Sequence, residues 1–97
     1  MQLSTLRNEQ AKIERGIAAT DRPDYIDVRD RLWEKYFATN MLATHFIPNS
    51  PADLRFLLDI IDEHVQFIED QPVSESERDE AFVAILRITA NIREYLL

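Results

Sequence analysis

The chain has 97 residues, of which 45% are hydrophobic and 30% charged, with a formal net charge of −7, no cysteine and one glycine. A chain of this size is expected to form one domain, residues 1–97, with a modest core. The composition excludes disulfides, thiolate metal sites, thiol nucleophiles and the glycine-rich loops that cradle phosphates.

Prolines at positions 23, 48, 51 and 72 cut the chain into four segments of helical length. Leu3, Leu6, Gln10, Ile13 and Ile17 recur at spacings of three and four, which predicts a helix over 4–19. Pro23 disfavours a helical residue before it and suits the first position of a helix, so the next helix is expected over 23–44. Its apolar stripe is Ile26, Trp33, Phe37 and Met41, with Tyr25, Leu32 and Tyr36 on the shoulder. Aromatics at such spacing are expected to be core, which leaves Tyr25 and Tyr95, at the edges of their stripes, as aromatic anchors for a partner.

His45-Phe46-Ile47-Pro48-Asn49-Ser50-Pro51 breaks the pattern. Ser50 can accept from the Asp53 backbone N–H, Pro51 needs no donor at the first position, and Asp53 favours the positive helix end. A third helix over 51–70 follows, with Leu54, Leu58, Ile61, Val65 and Ile68 as its apolar stripe. Gln71-Pro72-Val73 ends it. Ser74 and Glu77 have capping-box spacing for a fourth helix over 75–96 that is expected to bury Phe82, Ile85, Leu86, Thr89, Ile92 and Leu96. The expected fold is therefore all-α, an antiparallel four-helix bundle whose last two helices form a hairpin.

Residues 46–59, from Phe46 to Asp59, resemble a segment of small phage and prophage accessory proteins. There a Phe-Ile pair, a Ser- or Ala-Pro-x-Asp cap and a Leu-Leu-rich helix follow in the same order. The resemblance covers 14 residues and implies phage origin without an established activity.

Charge is unevenly divided. Residues 1–48 hold seven acids and seven bases, whereas 49–97 hold eleven acids against Arg55, Arg78, Arg87 and Arg93. The acidic side chains that phasing places outward or at the hairpin end are Asp59, Asp62, Glu63, Glu69, Asp70, Glu75, Glu77, Asp79 and Glu80. They form either a solvated face or a surface for a basic protein. The same charge disfavours direct nucleic-acid binding and anionic membranes, since phosphate contacts need clustered Lys and Arg. No apolar run reaches the ~20 residues of a spanning helix. A cytoplasmic protein is expected, in the host cell if phage-encoded.

His64 has Ile60, Ile61, Phe67 and Ile68 at the positions where a helical metal partner would stand, so no metal and no cofactor is expected. His45 is read as a loop histidine capping the end of the second helix, and catalysis by His45 or His64 is the least favoured reading. The expected function is a non-enzymatic protein-interaction module, in one form an inhibitor of a basic nucleic-acid-handling or defence complex, anti-CRISPR-like, with the acids standing in for phosphates. The alternative is a structural or regulatory module that forms a homodimer through apolar helix faces, including Phe56, Ile60, Phe67 and Ile88.

Overall fold

Local hydrogen bonds close the end of α1 and the starts of α3 and α4. The structure is a computed structural model that describes residues 2–70 and 72–97, and it is all-α. Helix α1 spans Leu3–Ala19, a 3-10 turn spans Pro23–Tyr25, and α2, α3 and α4 span Ile26–Ala43, Pro51–Asp70 and Glu75–Leu96. Among the described residues there is no strand. None of these helices is long and apolar enough to cross a membrane.

Thr20 ends α1 by donating its backbone N–H and its hydroxyl to the carbonyls of Gly16 and Ile17, both hydroxyl bonds at 3.0 Å. Pro23 then starts a single tight turn, with Tyr25 N–H donating to Arg22 O at 3.1 Å, before α2 takes over. The expected 23–44 helix is thus split between a 3-10 turn and an α-helix. At α3 the Ser50 hydroxyl accepts from the Asp53 N–H at 3.1 Å. Asp53 is 2% exposed and returns the favour one residue further out, accepting from the Asn49 N–H at 3.2 Å. At α4 the Ser74 hydroxyl accepts from the Glu77 N–H at 3.1 Å and donates to the Glu77 carboxylate at 3.0 Å. Each side-chain cap of this kind contributes about 1 kcal/mol. The expected end of α3 at Gln71 lies outside the described residues.

The chain divides into two compact units, Met1–Ala43 and Thr44–Leu97. In the first, α1 and α2 run antiparallel, with Gln10 beside Asn40 and Gly16 beside Leu32. Its core is Leu3, Leu6, Ile13, Tyr36 and Ala43. The sole glycine marks a close approach: a Cβ at Gly16 would lie 3.1 Å from Leu32 Cδ1. Gln10 Nε2 donates to Asn40 Oδ1 in the buried contact, and Gln10 Oε1 is buried with no partner.

In the second unit α3 and α4 are joined by residues 71–74, a connection short enough to make them an antiparallel hairpin. Leu57, Ile60, Ala81, Ala84 and Ile88 are its buried centre, with Thr44 and Pro48 fully enclosed. Arg87 Nη1 donates to Thr44 Oγ1 at 3.0 Å, and Asn91 Nδ2 donates to the Thr44 carbonyl at 2.8 Å. These two side chains of α4 hold the start of the connecting segment 44–50.

Helices α2, α3 and α4 are rotated from the expected faces. In α2 the buried residues are Tyr36, Asn40 and Ala43, while Ile26, Trp33, Phe37 and Met41 are exposed. At 100° per residue the two sets lie roughly a quarter-turn apart. In α4 the buried residues are Ala81, Ala84 and Ile88; Phe82, Leu86, Thr89 and Leu96, expected in the core, are exposed. In α3, Leu57 and Ile60 are buried, and Leu58 and Val65 are exposed. Ile60 and Ile88, expected on a dimer face, are hairpin core instead. The physical reason is the size of the side chains at the contact. Alanine and glycine let two helix axes come close, and the bulky side chains then flank the seam or point away from it.

The buried amide pair gives a direct test. Asn40→Ala removes the acceptor of a buried Gln10 donor and is expected to cost about 1–3 kcal/mol in urea unfolding followed by circular dichroism, whereas the double variant Gln10→Leu, Asn40→Leu regains most of that loss.

Candidate functional site

This packing leaves apolar side chains exposed on α2, α3 and α4, those of α3 being Leu58, Val65 and Phe67, and an acidic array on α3 and α4. On α2 the stripe is ordered by its own rings. Trp33 and Phe37 stack with centroids 5.8 Å apart and planes 26° apart, and Tyr36 meets both edge-on at 5.2 and 5.6 Å. Tyr36 is buried against α1 and so anchors the other two from behind. Phe37 is 58% exposed and Ile26 61% exposed. Aromatic pairs in such arrangements contribute about 0.5–1.5 kcal/mol beyond area burial, so the rings are held in place before any partner arrives. The reading of Trp33 and Phe37 as core is corrected; Tyr36 is core and Phe46 is half-buried.

Tyr25 is exposed in the 3-10 turn ahead of α2, and Tyr95 is half-buried near the end of α4. The two lie in different units and are not brought together as one site within either.

All nine acidic candidates, Asp59, Asp62, Glu63, Glu69, Asp70, Glu75, Glu77, Asp79 and Glu80, are exposed. Asp59, Asp62, Glu63 and Asp70 project from the back of α3, about half a turn from Leu57. Glu75 and Glu77 occupy the first turn of α4, where the helix dipole favours negative charge. Glu69 and Asp70 are different. They close α3, whose last turn has no basic residue, and so stand at the negative end of its dipole.

The comparisons with known proteins add no relative. No family model, curated protein or solved structure matches the chain.

Each histidine is hydrogen-bonded to the fold around it. His64 Nδ1 donates to the Ile60 carbonyl at 2.8 Å within its own helix. His45 does not cap α2; its Nε2 accepts from Arg87 Nη1 at 3.2 Å, so it extends the clamp on Thr44. Among the described residues no group of three or more His, Cys, Asp or Glu side chains could hold a metal ion. The Arg87 clamp was not legible from the sequence, because Thr44 and Arg87 are 43 residues apart and share no motif.

Two outcomes follow from this geometry. Arg87→Ala strips a donor from buried Thr44 and is expected to destabilise the chain by about 1–3 kcal/mol, read as a lowered urea midpoint. Asp70→Lys places a cation where the dipole wants one and is expected to raise stability by about 0.3–1 kcal/mol in low salt, an effect that fades when the same unfolding curves are recorded in high salt.

Proposed function

We propose that this chain is a non-catalytic protein-interaction module that docks a basic protein through the exposed aromatic stripe of α2. The observation that carries the reading is the Trp33–Phe37 stack, held outward by buried Tyr36. Preordered aromatic side chains lose little freedom on binding and supply much of the strength of protein interfaces. The net charge of −7 supplies the rest of the description of the partner, since long-range attraction favours encounter with a positively charged surface.

A second reading gives the main role to the acids: an inhibitor, of phage origin, that occupies the nucleic-acid groove of a basic defence or nucleic-acid-handling complex. It is favoured by Glu69 and Asp70, which cost stability where they stand and are not accounted for by capping.

The two readings separate in one experiment. Tagged wild type, Phe37→Asp and a charge-reversed chain carrying Asp59→Lys, Asp62→Lys, Glu69→Lys and Asp70→Lys are used to capture partners at low and high salt, with circular dichroism as the folding control. Docking by α2 predicts at least a tenfold loss of capture in Phe37→Asp, about 1.4 kcal/mol or more, and retention of the complex in high salt. Capture that survives Phe37→Asp but disappears on charge reversal or in high salt overturns that reading in favour of the acidic surface.

A further inference from the structure

Helix α4 has a second seam, directed away from α3. Phe82 and Leu86 each lie two residues from buried Ala84, so at 100° per residue they point to the opposite side of the helix. Around them Glu75, Asp79, Phe82, Leu86, Thr89 and Arg93 recur at alternating spacings of four and three. That is the repeat by which one helix winds against another in a coiled coil. All six are exposed, Leu86 by 67%.

We propose that this outer face of α4 is a self-association surface, paired antiparallel with α4 of a second copy of the chain. The charge pattern selects both the occupant and the direction. With the two-fold axis level with Ala84 but on the far side of the helix, Phe82 of each copy faces Leu86 of the other, and the two apolar layers lie at the centre. Asp79 then faces Thr89, whose hydroxyl donates to the Ile85 carbonyl at 2.8 Å in the single chain and turns to the carboxylate on pairing, and Glu75 at the start of the helix faces Arg93 at its end. Every position of the seam meets a chemically suited one, as a two-fold contact requires of a single surface. Parallel pairing would instead oppose Glu75 to Glu75, Asp79 to Asp79 and Arg93 to Arg93, three like-charge layers. Sliding the antiparallel pair by one heptad sets Phe82 against Arg93 and Asp79 against Leu96. A seam that is self-complementary in one direction and one register fits a second copy better than an unrelated helix. The exposed ion pairs contribute little strength, so they select register while Phe82 and Leu86 hold the pair together.

This inference rests on the reading of the chain as an association module, but on a different helix. The absence of cysteine makes the test clean. Chains bearing Glu75→Cys and Arg93→Cys, differently tagged, are oxidised separately and as an equal mixture. The expected product is a mixed disulfide dimer from the mixture, with little dimer from either chain alone. In sedimentation across a concentration series, Glu75→Arg and Arg93→Glu each weaken self-association about threefold to tenfold, and the double swap restores it. Leu86→Asp abolishes it. Self-crosslinking of Glu75→Cys, or no crosslink from the mixture, overturns the proposed pairing. So does wild type that sediments like Leu86→Asp at every concentration. The α2 variants leave this seam untouched, so failure here does not carry over to partner capture through Trp33 and Phe37.

Discussion

One helix-to-helix contact accounts for an apolar arc of about 100°, and both α2 and α4 are apolar over wider arcs than that. The α1–α2 contact takes Tyr36, Asn40 and Ala43, and the α3–α4 contact takes Ala81, Ala84 and Ile88. Trp33 and Phe37 of α2 and Phe82 and Leu86 of α4 fall outside these contacts. The apolar surface of these two helices follows from this mismatch between how much of a helix is apolar and how much its hairpin neighbour covers. The exposed rings of α2 and the outer seam of α4 are two expressions of it.

Helix ends were legible in the sequence because they are local events. Pro51 with Ser50 and Asp53, and Ser74 with Glu77, state their hydrogen bonds within four residues. Two local features differ from expectation: the tight turn at Pro23–Tyr25, and His45, which accepts from Arg87 instead of capping α2. The buried sides of α2 and α4 were less legible, because periodicity weights the largest side chains and these two helices turn small residues as well as large ones into their seams. Ala84 and Ala43 are completely enclosed, while Phe82 and Phe37 are 49% and 58% exposed. On α1, where the contact face is Leu3, Leu6, Gln10 and Ile13, size and burial agree and the expected stripe is the observed one apart from half-buried Ile17. The partner of Gln10, thirty residues away, had no signal, since an asparagine on a helix reads as a surface residue until something faces it.

The acidic array was legible as a list and becomes more selective once its helices are placed. Capping accounts for Asp53 and Glu77, and the dipole of α4 accounts for Glu75. Those acids stabilise the elements that hold them. Glu69 and Asp70 work against theirs, which makes the end of α3 the part of the array where local stability explains the charge least.

Gly16 has a reach beyond its own helix. Because the space for its missing side chain is filled by Leu32, the roll of α2 about its axis is set by what α1 lacks at that point. Leu32 immediately precedes Trp33, so the direction in which the aromatic stripe looks is governed from the opposite helix, by a residue with no atoms on the docking face. In mechanical terms Gly16 is the bearing on which α2 is seated, and the bulk at that single position sets the bearing's clearance.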